Sequence, residues 1–465
     1  MTKSLRDLPS PGGLPFLGNI HQLSVQRLHR IIETWEAQLG SEFTFELGSR
    51  RVFVTSDPHL AQHALRERPE SFRKLSSMTA VIDEMGFNGV FSAEGQRWWP
   101  QREMVTRALA RKGLPPFFPT LHTITERLFR RWDEVARNGQ TTDVVQDLTR
   151  FTVDVISTLS FGQDINTLEQ TGDPIQKHLS VIFPMVTLRA NLPFAYWRYI
   201  KLPQDRQLER SIAAVEEFVH RMIDEAKDEL VARPDGPPTN LLQAMLMAAE
   251  EPGSGISDDI VYANVVTLLI AGEDTTAHTL AWAMYCMAER PELRQHMQNA
   301  AAHTLGEANI APDYKTTEGL SLFESTAFEA MRFKPTVPLV FLEANEDVTL
   351  GDTHLPAGTP VFLALRASMK DENHFGDADD FDPYRWTAER HHRMRTHNGR
   401  AFMQFGAGPR VCPGRHLAIL EIRMVLSMLA RNFTFEFADD AQGIEESFSF
   451  TMAPHTLPLR LHRLR

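Results

Sequence analysis

The sequence predicts a mainly α protein with a small β region (α+β), the β part being assembled from both ends of the chain. Three observations carry this reading. From Pro58 to about Met331, apolar residues recur at helical spacing almost throughout. Short alternating runs bounded by turn residues occur near 42–56, 336–365 and 433–465. The linkers are short and no internal repeat is visible, so the 465 residues read as one large domain.

The elements follow in order. Residues 8–18, LPSPGGLPFLG, are punctuated by Pro and Gly and do not form a helix. A short helix follows near Arg27 to Leu39, then the strands EFTFEL and RRVFVT around the turn Gly48-Ser49. The helical region is expected to break at Pro115-Pro116, Pro174, Pro184, Pro193, Pro203 and ARPDGPPTN. One helix stands apart. It runs from about 257 to 290, with the Ser257 hydroxyl as its cap and Asp258 and Asp259 at its positive end. Its middle, VVTLLIAGEDTTAHTLAWAM, is apolar on nearly all sides, which predicts burial. Yet its centre holds Gly272, Glu273, Asp274, Thr275 and Thr276. After Pro335 come short strands and turns, a helix after Cys412, and an alternating tail from Phe433.

Composition narrows the function. A net charge of −12 argues against a general nucleic-acid binder. Two cysteines cannot build a disulfide framework, so a reducing, cytoplasmic setting fits. No run approaches the roughly 18 apolar residues of a membrane span, and the first residues lack the apolar stretch of a signal peptide.

Cys412 lies in FGAGPRVCPG. Most lone cysteines are buried structural thiols. Here Gly406, Gly408 and Gly414 allow backbone angles and close approaches closed to other residues. Pro413 suits a first helical turn, which would place the sulfur at a helix N-terminus and favour thiolate. With no CxxC in the chain, zinc is disfavoured and a single soft axial bond to a metal is favoured. GAGPRV lacks the third glycine of a dinucleotide loop.

The pattern Phe405-Gly406-x-Gly408-x-Arg410-x-Cys412-x-Gly414 resembles the cysteine loop of the cytochrome P-450 family, the haem-thiolate monooxygenases. The resemblance extends from residue 9 to the end and implies that family's fold, with the long helix crossing over haem b (iron protoporphyrin IX). It implies Cys412 as the iron ligand, Phe405 packed beside it with Gly406, and Arg410 on a haem propionate. Ala271 to Thr276, AGEDTT, resembles the oxygen-activation segment. There Ala271 and Gly272 leave room over the iron, and Asp274 and Thr275 supply an acid and a hydroxyl for proton delivery away from bulk water. The alternative for Thr275 is a bond back to a helix carbonyl. EAMR and FDPYRW resemble the segments whose Glu329, Arg332 and Arg385 form a buried structural network. WWPQR resembles the propionate-binding helix, with Trp98 and Arg102; Lys74 is a further cation. Where many relatives carry a propionate-binding arginine this chain has Glu343, which is expected to point away.

Other residues receive plainer readings. His278 is a packed polar residue more than a proton relay, and Cys286 is buried and inert. The stretch 181–197 is either a lid over a substrate channel or ordinary core. The resemblance implies insertion of one oxygen atom from dioxygen into an apolar fatty acid, terpenoid or aromatic substrate. Peroxide-driven or hydroperoxide-rearranging chemistry and a non-catalytic haem protein are the alternatives. It further implies a monomer without a membrane anchor and with no fused reductase, receiving electrons from NAD(P)H through a separate ferredoxin or flavodoxin with its reductase. Six arginines and no Asp or Glu between 390 and 420 (Arg390, Arg393, Arg395, Arg400, Arg410, Arg415) suggest the docking face for that donor, extended by Arg107, Arg111 and Lys112.

Overall fold

Valine, phenylalanine and threonine dominate the two strands that follow the first helix, and those residue types suit a sheet covered on both faces. The computed structural model describes residues 2–170, 174–192, 194–234, 236–387, 398–438 and 443–465. Its helices begin with α1 (Leu28–Leu39), α2 (Pro58–Arg66), α3 (Ser76–Glu84), α4 (Trp98–Ala108) and α5 (Leu114–Arg137). Next come α6 (Val144–Phe161), α7 (Pro174–Asn191), α8 (Pro203–Ala232), α9 (Leu241–Glu250) and α10 (Asp258–Ala288). The last are α11 (Pro291–Leu305), α12 (Tyr314–Glu318), α13 (Ser321–Phe333), α14 (Leu365–Met369) and α15 (Arg415–Asn432). The strands are β1 (Glu42–Leu47), β2 (Arg50–Thr55), β3 (Phe72–Lys74), β4 (Thr141–Asp143), β5 (Leu339–Ala344) and β6 (Val348–Leu350). They continue with β7 (Thr353–Leu355), β8 (Pro360–Ala364), β9 (Phe433–Phe437), β10 (Glu446–Phe448), β11 (Met452–Pro454) and β12 (Pro458–Arg463).

The chain divides into two compact units. The first comprises Met1–Ser76, Ser325–Cys412 and Glu445–His455. Its sheet has the order β1-β2-β8-β5-β3, with β2 parallel to β8 and the other pairs antiparallel. Phe45 meets Trp35 of α1 at 5.4 Å, while Phe53 joins Ala61, Ala64 and Leu65 of α2. Helices on both faces explain why β1 and β2 bury consecutive residues rather than alternate ones. The β10–β11 hairpin is held through Glu446, which accepts from His29, Arg30, Lys334 and Arg366. Burial opposes that charge, but the His29 hydrogen bond, Arg366 and Lys334 hold the carboxyl well below the usual range.

The second unit comprises Ser77–Glu324, Pro413–Ile444 and Thr456–Arg465. Its long helix α10 has 31 residues, about 46 Å at 1.5 Å each. Ser257 is its N-cap as expected, but the Ser257 side chain makes no capping bond; its carbonyl accepts from Ile260 and Val261 instead. Gly272 lets α6 close on α10, because a Cβ there would lie 2.9 Å from Ile156. Two of the expected proline breaks do not occur. Pro115 and Pro116 open α5 rather than break it, because a proline near a helix start costs no hydrogen bond. Pro184 lies inside α7. Pro193, and Asp235 within ARPDGPPTN, fall outside the described residues. The supposedly all-helical stretch also contains β3 and β4, of three residues each, too short to show a period. β4 finds its partner in the C-terminal β12, which lies between β4 and β9.

Helix α15 buries Glu421 with Oε2 unpartnered, and burial pushes its carboxyl up to about 8. The group is protonated in the folded protein and ionises near the ordinary glutamate value of 4.5 when unfolded. Its raised folded value makes stability fall as pH rises from the unfolded value to about 8, then level off. Denaturation at several pH values should show Glu421→Gln matching the parent near pH 5 and exceeding it by roughly 4 kcal/mol above pH 8. An advantage independent of pH would mean the carboxyl is not protonated in the fold.

Candidate functional site

In the first unit the functional element is the loop ending at Cys412. Gly406 and Gly408 have φ of 75° and 68°, the left-handed region that favours glycine. A Cβ on Gly408 would lie 2.7 Å from the Arg66 Cα, so α2 and the loop approach backbone to backbone. Gly406 N–H donates to Met403 O at 2.8 Å, and Cys412 N–H to Phe405 O at 2.7 Å. The Cys412 side chain is exposed, whereas Cys286 is buried and 1 % accessible. Helix α15 starts only at Arg415, with Gly414 as its cap. Pro413 therefore precedes the helix instead of filling its first turn, and Cys412 lies two residues before the cap. Arg410 and Lys74 are half-buried.

The loop is braced from behind. Phe405 meets Phe328 of α13 edge-on at 6.4 Å, and Phe328 also touches Phe402 and Trp386. Trp386 Nε1 donates to Glu329 at 2.8 Å. Glu329 also accepts from Arg332 at 2.9 and 3.1 Å, from Arg385 Nε at 3.1 Å and from Asp382 N–H at 2.9 Å. All three charged residues are at most 2 % accessible. The structure thus brings Glu329, Arg332 and Arg385 together; Trp386 and Asp382 complete the group without any sequence spacing that signals them.

In the second unit, Ala271, Asp274 and Thr275 lie on adjoining turns of α10. Ala271 is exposed on a helix most of whose residues are buried. The Thr275 hydroxyl donates to the Ala271 carbonyl at 2.9 Å, the back-bond anticipated as its alternative role. The Asp274 side chain is 36 % exposed, and His278 Nε2 lies 3.9 Å from its Oδ1. Burial lowers the His278 pKa, and the Asp274 charge raises it. Gly272 does not open space for a ligand as expected; its bare side is filled by Ile156 of α6. On α4, Trp98 is buried and Arg102 half-buried.

Glu343 is turned into a polar cluster, accepting from Arg73 at 2.5 Å and from the Ser76 hydroxyl at 2.8 Å. Arg390, Arg393 and Arg395 lie outside the described residues, while Arg400 and Arg415 are exposed. Arg107 does not extend a free basic patch, because Glu103 and Glu251 pair with it at 2.6 and 3.0 Å. Arg111 faces Glu318 at 3.8 Å. In the stretch 181–197, Arg189 forms a buried pair with Asp205 at 2.7 Å and lies over the Trp197 ring.

The cytochrome P450 family model matches residues 8–460. The chain belongs to the cytochrome P450 family. It is 24% identical to the self-sufficient cytochrome P450 monooxygenase CYP505E5 of Aspergillus kawachii (strain NBRC 4308), over 98% of this chain and 43% of that protein. It is 27% identical to the bifunctional cytochrome P450/NADPH--P450 reductase 2 of Bacillus subtilis (strain 168), over 93% of this chain and 40% of the relative. The chain thus spans about two-fifths of the length of these relatives. The crystal structure of the cytochrome P450DA heme domain superposes with a TM-score of 0.87 at 26% identity, covering 98% of each chain. The fold is that of the P450s.

The donor set fits a haem. Among the described residues no group of three or more His, Cys, Asp or Glu could hold a metal. The exposed Cys412 thiol therefore offers one soft donor, and a metal bound there needs its other ligands from a preformed group.

Glu329→Ala leaves two buried guanidinium groups without their carboxylate, a loss of about 3–5 kcal/mol. Thermal denaturation should show the drop, and purified protein should be haem-poor. A variant as stable as the parent would mean the arginines are satisfied by backbone carbonyls alone.

Proposed function

We propose that the protein is a haem-thiolate monooxygenase that inserts one oxygen atom from dioxygen into an apolar substrate such as a fatty acid, terpenoid or aromatic. The reading is carried by an exposed Cys412 in a glycine-braced loop on a chain whose central helix bears Asp274 and Thr275. When bound, the haem supplies the iron at which dioxygen is activated.

The chain's own residues do the rest. Cys412 would hold the haem iron through its thiolate, and the glycine-braced loop would position that sulfur. Arg102, Arg410 and Lys74 offer cations to the propionates. The Thr275 proton is committed to the Ala271 carbonyl, so its oxygen presents lone pairs outward. It orders an incoming proton carrier rather than giving up its own proton. Asp274, a third exposed, exchanges protons with solvent. His278, neutral because it is buried, does not pin Asp274 as an ion pair.

Peroxide-driven turnover is the second reading; Asp274 and Thr275 favour the first, since peroxide arrives with its protons already in place. A separate ferredoxin or flavodoxin is the proposed electron donor. The printed names of the relatives make an NADPH-dependent P450 reductase the alternative.

Cys412→Ser should abolish the thiolate signature in the carbon monoxide difference spectrum of the reduced protein, together with turnover; an unchanged spectrum sinks the haem-thiolate reading. Thr275→Ala should keep that spectrum yet divert most reductant into peroxide, measured as product formed per electron pair, while Thr275→Ser retains coupling. Full coupling in Thr275→Ala would leave the hydroxyl a structural role only. Donor reduction should slow steeply with added salt and weaken in Arg400→Glu and Arg415→Glu. A salt-independent rate with both variants silent moves the docking face elsewhere.

A further inference from the structure

We propose that Asn264 is a specificity-positioning residue, its buried amide latching the Phe87–Ala93 loop onto α10 beside the turn that carries Ala271 and Thr275. The word specificity rests on the monooxygenase reading; the latch itself rests on geometry within one unit.

Asn264 is fully buried. Its Oδ1 accepts from Val90 N–H at 2.8 Å, and its Nδ2 donates to Gln101 Oε1 at 2.8 Å and to Ile260 O at 2.7 Å. A single amide therefore ties three segments: the loop, α4 through Gln101, and α10 itself. Gln101 is held in turn by donating to Arg97 O at 3.1 Å. An amide is the residue type for this task, because it offers an acceptor and two donors in one plane without a charge to desolvate.

A second observation points to the same place. A Cβ on Gly89 would lie 2.1 Å from Thr267 Oγ1 and 2.6 Å from Ala263 O. The loop backbone thus rests directly on α10 at the turn containing Asn264. Within the loop, Gly89 O accepts from Ser92 and Ala93 N–H, so Val90, which is buried, and Phe91, which is half-buried, are held between two fixed points.

Helical spacing supplies the link to chemistry. Thr267, Ala271 and Thr275 are four apart and share one stripe, with about 6 Å of rise per step. A molecule lying over exposed Ala271 is one turn from the place where Gly89 rests. Val90 and Phe91 then form part of its wall, and the Asn264 amide fixes that wall without touching the molecule.

The test uses the haem-loaded protein and two variants, Asn264→Ala and Gly89→Ala. The second pushes the loop off α10 and so separates Val90 N–H from its acceptor while leaving the Asn264 amide in place, so it carries the experiment if the first does not fold. Hydrogen–deuterium exchange at Val90–Ala93 should quicken about tenfold in either variant, as the loss of one buried hydrogen bond predicts. Exchange in α5 and α11 should stay unchanged. Spectral titration with imidazole and 4-phenylimidazole should show the ratio of their affinities shifting by about fivefold, on the order of 1 kcal/mol, while imidazole alone binds as in the parent. Unchanged loop exchange, or faster exchange with an unchanged affinity ratio, overturns the proposal. Absence of the thiolate signature in the parent defeats the monooxygenase reading separately, since the exchange result does not depend on it.

Discussion

The first unit depends on the burial of one carboxylate between two arginines. Glu329 receives five donors, and the guanidinium groups of Arg332 and Arg385 spend their remaining N–H groups on the carbonyls of Met369, Gly376, Asp377, Ala378 and Asp380. The segment from 369 to 386 is mostly irregular and has no ladder to satisfy its backbone. Two buried cations do that work, and the carboxylate makes their burial tolerable. Trp386 then passes the constraint to Phe328, Phe402 and Phe405. The position of the Cys412 loop is inherited from an ion cluster that performs no chemistry.

Helix α10 solves a different problem. A helix buried along most of its length has no solvent to satisfy stray polar groups, so its polar residues take partners from the helix itself or from neighbours. Thr267, Thr275 and Thr279 bond back one turn, and Asn264 reaches two neighbouring segments. Thr152 of α6 donates to the Glu273 carbonyl at 2.6 Å, so the same turn is tied to α6 from the side opposite Ala271. The close approach that Gly272 permits to Ile156 brings Thr152, one turn earlier on α6, within reach. That one glycine serves packing, which its sequence context alone did not distinguish from ligand access.

What the sequence made legible was whatever had a period or a fixed spacing. The strands β1 and β2, the span of α10, the Glu329–Arg332 pair and the cysteine loop all announce themselves in this way. What it concealed was set by distant partners. Strands β3 and β4 exist because β5 and β12 pair with them, from residues roughly 270 and 320 positions away in the chain. Ser257 has a capping residue's chemistry, yet its hydroxyl makes no capping bond. Glu343 was legible as a departure from a pattern, while its actual partners, Arg73 and Ser76, come from β3 and the residue that opens α3. Asn264 carried no signal at all, since an asparagine inside an apolar helix is conspicuous only once Val90 and Gln101 are seen around it.

Three buried glutamates show how partners rather than burial decide what a carboxyl becomes. Glu329 sits among guanidinium, indole and backbone donors in a closed cluster. Glu446 is surrounded by His29, Arg30, Lys334 and Arg366, whose combined pull overcomes desolvation and holds it ionised. Glu421 has an unpartnered oxygen and keeps its proton. The first two join segments far apart in sequence, so their cost in desolvation is offset by the irregular backbone and the hairpin they fix. Glu421 joins nothing, and burial alone sets its state. A carboxyl in this protein is thus a fastener where cations converge on it and a liability where none do. Asp274 of α10 belongs to neither class: its side chain is 36 % exposed, and the His278 imidazole that faces it at 3.9 Å lies one turn along the same helix.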